Sequence, residues 1–85
     1  MQITIKQPNM ITESKAFDVC FDSFRSVMCN ADKSAIAQTG ESVVEQQGKY
    51  SASVYKRRDG QMVVNVYAGN ALSPCVVALC DEFDL

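Results

Sequence analysis

Apolar residues hold every second position in two runs of the chain, Tyr50 to Lys56 (YSASVYK) and Met62 to Ala68 (MVVNVYA). A period of two divides the side chains between the two faces of a strand. At the centre of the connection stand Arg58, Asp59 and Gly60. A three-residue loop with Gly60 in the left-handed conformation joins the runs as a β-hairpin, because a residue without Cβ meets no steric penalty there. That loop pairs Lys56 with Met62, Val54 with Val64, Ala52 with Val66 and Tyr50 with Ala68 on one apolar face. The other face pairs Tyr55 with Val63, Ser53 with Asn65 and Ser51 with Tyr67. A two-residue turn at Asp59-Gly60 would set Val54 against Asn65 and mix the faces, so pattern and loop length agree on one register.

The period changes in the first third of the chain. Gln2 to Lys6 alternate with Ile3 and Ile5 on one side, which predicts a short strand ended by Pro8. Phe17, Cys20, Phe21, Phe24, Val27 and Met28 then recur at spacings of three and four, predicting a helix from about Glu13 to about Cys29 capped by Asn9 or Thr12. On this pattern the phenylalanines should form much of the core. Asn30 or Asp32 is placed to cap a second, shorter helix over Lys33 to Gln38, with Gly40 ending it.

Residues 41–47 read as a strand leading into the hairpin, and a short turn sets Val43 opposite Ala52. A single helix from Asp32 to Gln47 is the alternative, at a cost of about 1 kcal/mol for an interior Gly40. After the loop Gly69 to Pro74, the run Cys75 to Cys80 (CVVALC) predicts a buried strand, although periodicity alone does not separate it from a helical turn. These elements predict an α+β domain. Its antiparallel sheet is a meander over about residues 41–68, with further strands at the N- and C-terminal ends. It packs on one long N-terminal helix and a short second helix, with the long helix against Val54, Val64 and Val66.

Composition narrows the class. The 85 residues suit one domain, and a hydrophobic share of 47% suits a folded one. The longest apolar run, Cys75 to Cys80, is too short to span a bilayer, and the first residues lack a signal-peptide pattern. A cytoplasmic location is therefore expected. There the four cysteines, Cys20, Cys29, Cys75 and Cys80, should be thiols acting as small apolar residues. Cys20 and Cys29, nine residues apart, fall on opposite sides of a continuous helix. No Cys-x-x-Cys pair and no histidine occur, so no metal site is expected.

The lack of histidine also removes the usual acid–base group at neutral pH. Cys75, beside a loop and Pro74, is the best-placed nucleophile, yet no base or cation is signalled near it. Asp18 and Asp22 sit one helical turn apart on the face expected to be wet, and Asp81, Glu82 and Asp84 lie in the terminal tail. The tail alternates acid with apolar residues, and Phe83 and Leu85 are expected to fold back on the core. No cofactor is expected and the chain is not read as an enzyme.

What remains is a surface. Tyr55, Val63 and Tyr67 share one face of the hairpin, and Arg57 and Arg58 lie at its tip. Tyrosine and arginine are enriched among residues that dominate protein interfaces. The expectation is a small protein-binding module, an inhibitor or adaptor of the kind phages and mobile elements encode, with another protein as partner. A homodimer through the same face is the close variant. The alternative is a single-stranded nucleic-acid-binding domain, in which Tyr55 and Tyr67 stack on bases and Lys56, Arg57 and Arg58 meet phosphates. A net charge of −2 disfavours that partner and gives no attraction to an anionic membrane.

Overall fold

The computed structural model describes residues 1–81 of the chain. Glu82, Phe83, Asp84 and Leu85, and with them the expected folding back of the tail, lie outside the described residues. The elements in order are β1 (Gln2–Ile5), α1 (Glu13–Cys29), α2 (Ala31–Gln38), β2 (Val43–Gln47), β3 (Tyr50–Lys56), β4 (Met62–Ala68) and β5 (Val76–Cys80). The strands form one antiparallel sheet in the order β1-β5-β4-β3-β2. The last four strands are a meander, β1 pairs with its final strand, and the two helices carry the chain across one face of the sheet. This is the predicted α+β architecture.

The central hairpin has the predicted register at every pair, from Tyr50 opposite Ala68 to Lys56 opposite Met62. The Arg57 amide donates to the Gln61 carbonyl at 2.8 Å, which leaves Arg58, Asp59 and Gly60 as the loop. Gly60 has φ of 89°. The neighbouring hairpin differs from expectation. Gln47 lies opposite Tyr50 and Val43 opposite Val54, not Ala52. The turn is Gly48-Lys49, and Gly48 takes φ of 63°. A turn one residue earlier would have imposed positive φ on Gln47, which has a Cβ to clash. The shift of two residues along β3 keeps Val43 on the apolar face.

The helices begin where their caps are. The Thr12 hydroxyl accepts from the Lys15 amide at 3.2 Å, and the Asn30 side chain accepts from the Asp32 and Lys33 amides. The core lies between α1 and the inner sheet face, where Val54, Val64, Val66 and Val76 are fully enclosed.

The stripe that α1 buries differs from the predicted one. Ala16, Val19, Cys20, Ser23, Phe24 and Val27 face the sheet, while Phe17 and Met28 are 50% and 38% exposed and Phe21 is half-buried. Ranking by side-chain size placed three phenylalanines inside. The sheet beneath is built largely from Ala52, Ala78 and valines, and the helix rests on it through small residues, leaving room for one buried ring from the helix, Phe24. Ser23 is enclosed at no cost in unmet polarity, because its hydroxyl donates to the Val19 carbonyl at 2.7 Å.

Candidate protein-binding face

Both helices pack on the side of the sheet that carries Val54, Val64 and Val66, so alternation assigns the remaining side chains to the opposite, outer face. Across that face, one row runs Gln2, Leu79, Val63, Tyr55, and the next runs Thr4, Val77, Asn65, Ser53, Val44. A third holds Tyr67, Ser51 and Gln46. No described helix lies over these rows.

Val63 is 3% exposed, although it stands outside the main core cluster. Its cross-strand neighbours are Tyr55 and Leu79. It is the floor of the face, while Tyr55, Tyr67, Val77 and Leu79 are half-buried and Val44 is 60% exposed.

The five residues singled out from sequence are therefore on the expected side or at the tip, but they are not one cluster. Tyr55 and Val63 are directly paired. Tyr67 lies four residues from Val63 along β4, or about 13 Å at the usual rise per residue. Arg57 and Arg58 are exposed, and Arg57 is held by Asp59 at 3.5 Å. Asp59 is itself fixed by accepting from the Gln61 amide at 2.9 Å. Lys56 belongs to the inner face and is half-buried, so Lys56, Arg57 and Arg58 do not form one basic patch.

Sequence reasoning missed Val44, Val77 and Leu79. Val77 and Leu79 were legible as the odd positions of CVVALC, but an unbroken apolar run conceals which half points outward. A second apolar surface was also missed. On α1, Phe17 stacks on Phe21 at 5.6 Å between centroids and 11° between planes, with the Arg25 guanidinium 5.7 Å from the Phe21 ring. Phe17, Ile3, Ile5 and Glu13 line a cavity of about 230 Å³ beside β1.

The candidate chemical groups are placed as follows. Cys75 is 1% exposed, and burial pushes its thiol up from the ordinary range, which opposes the thiolate a nucleophile needs. Burial, then the neighbouring Cys75, pushes Cys20 up to about 12. None of the four cysteines is in a disulfide; Cys29 is exposed and the others are buried. Asp18, Asp22 and Asp81 are exposed. Among the described residues there is no group of histidine, cysteine or acidic side chains arranged to hold a metal, and no helix long and apolar enough to cross a membrane.

The polar cluster with the clearest electrostatic signature is structural. Lys33 bonds the Glu45 carboxylate, and the Ser26 hydroxyl donates to the same oxygen at 3.0 Å. The hydrogen bond from Lys33 holds the Glu45 carboxyl below its ordinary range against the cost of partial burial. Glu45 points inward from an edge strand, a placement that discourages a further strand from pairing there. Comparison of the chain with protein families, with curated proteins and with solved structures finds no match.

Proposed function

We propose that the chain is a small non-enzymatic protein-binding module, an inhibitor or adaptor, that docks on another protein through the outer face of its sheet. One observation carries this reading: four of the five strands present Val44, Tyr55, Tyr67, Val77 and Leu79 on a face that no described helix occupies. Five strands at the usual spacing are about 24 Å wide, and six residues are about 20 Å long. The projected area, on the order of 500 Å², falls short of the roughly 800 Å² per partner of a standard interface. The hairpin tip, with Arg57 and Arg58, supplies the remainder. Small size and buried thiols suit a phage-type or mobile-element inhibitor acting in the cytoplasm, where cysteines stay reduced.

The nucleic-acid reading is weaker. Tyrosines separated by about 13 Å along the strand are poorly spaced for successive bases, and the basic run is split between the two faces.

The test is affinity capture from a host lysate with the native chain, with the double variant Tyr55→Ala/Tyr67→Ala, and with Phe17→Ala as a control on the helical side. The tyrosine variant should keep its fold by circular dichroism and lose the captured protein, while Phe17→Ala keeps it. Unchanged capture by the folded tyrosine variant would overturn the reading. Light scattering of the purified chain identifies a second copy as the partner. Retention of nucleic acid that is lost in the tyrosine variant and falls steeply with added salt would favour the nucleic-acid reading instead.

A further inference from the structure

A cavity of about 420 Å³ opens at the end of the sheet that carries the Gly48-Lys49 turn, opposite the hairpin tip. Residues 8–12, Lys15, Lys49 and Tyr50 line it. One wall is fixed: Tyr50 is 5% exposed, and its hydroxyl donates to the Met10 carbonyl at 3.0 Å. The Lys49 ammonium sits 5.5 Å from the Tyr50 ring centroid, close enough for the ring to hold it at the cavity.

The lining contains two ammonium groups and no carboxylate. Among the described residues the ion pairs are Lys33 with Glu45 and Arg57 with Asp59, and neither involves Lys15 or Lys49. In a chain of net charge −2 this is a local reversal of sign. The first turn of α1 lies against the same cavity; its Glu13 offsets part of the positive end of the helix but lines the cavity beside β1, not this one. The apolar part of the lining includes Pro8, which is exposed, and Met10, which is 44% exposed.

We propose that this cavity binds a small organic phosphate monoester. The dianionic head lies between Lys15 and Lys49, and an apolar or aromatic body lies against Met10 and Pro8. Two positive groups match two negative charges, and the exposed thioether supplies a surface that an inorganic ion would not use. The site is separate from the outer sheet face, so it stands or falls independently of the docking reading.

Phenyl phosphate is the probe, titrated into the whole isotope-labelled chain at low salt and followed by amide chemical shifts. The expected result is saturable shifts at residues 9–15 and 48–50, with a dissociation constant of about 1 mM for so small a ligand. Lys15→Ala with Lys49→Ala should weaken binding at least about tenfold, and the double change to arginine should restore it. Both lysines are exposed, so these variants should fold, which a thermal melt checks. Absence of saturable shifts would overturn the proposal. So would equal affinity in the folded alanine variant, or the same shifts produced by neutral benzyl alcohol.

Discussion

Phe24 is wholly enclosed, while Phe17, seven residues earlier on the same helix, leaves half of its surface in solvent. Truncation should separate them. Phe24→Ala is expected to cost about 3–5 kcal/mol, and Phe17→Ala less than about 1 kcal/mol, because only the first leaves a cavity. Urea unfolding of both variants checks this, and equal losses would mean that α1 buries its predicted stripe after all. Gly60 is the other decisive residue. At φ of 89° with no atom near its missing Cβ, Gly60→Ala meets conformational strain alone. The expected loss is about 1–2 kcal/mol, with Gly60→Asn costing less because asparagine tolerates this region. The turn was legible because only one loop length kept the two faces unmixed. The helix stripe was not, because Cys20, Phe24 and Val27 belong to both the predicted and the observed faces, and a one-dimensional pattern does not reveal how close the sheet lies.

At the scale of elements, β2 is the strand that propensity described worst. Its glutamate and glutamines admitted a helix, yet two of them are what tie the strand to the helices above it. Glu45 meets Lys33 and Ser26, and the Gln47 side-chain amide donates to the Val19 carbonyl at 3.3 Å. Nothing local in the sequence links residue 45 to residues 26 and 33, since the pairing exists only once both helices cross the sheet. The link should show as a pH dependence. The folded Glu45 carboxyl is held below its ordinary value, so its stabilisation is present above that value and is lost as pH falls through the lowered one. Glu45→Gln should therefore cost about 1 kcal/mol near pH 7, since the pair is only partly buried. The gap from the native chain should close in acid. A gap that stayed constant from pH 7 to pH 3 would assign the loss to packing instead.

For the whole molecule, the connection from β1 to β2 spans the sheet from edge to edge, so the two strands nearest the N-terminus end up farthest apart. Folding therefore has to bring β1 against β5, across most of the chain, and that pairing sets Ile3 and Ile5 against the core. The thiols report on closure of the core. Cys20 lies on α1, Cys75 just before β5 and Cys80 at its end, all three buried, whereas Cys29 is exposed at the last position of α1. If helix and sheet separate only in global unfolding, the three buried thiols should react with a disulfide reagent at one common slow rate, tracking stability in urea. Cys29 should react at once. Cys20 gives the sharpest reading, because its thiol is pushed up to about 12 and yields almost no thiolate while the fold is intact. Mass spectrometry of partly labelled chains checks the order. Early labelling of Cys80 ahead of Cys20 would show that β5 opens from the sheet as a separate unit, and with it the outer rows that hold Val77 and Leu79.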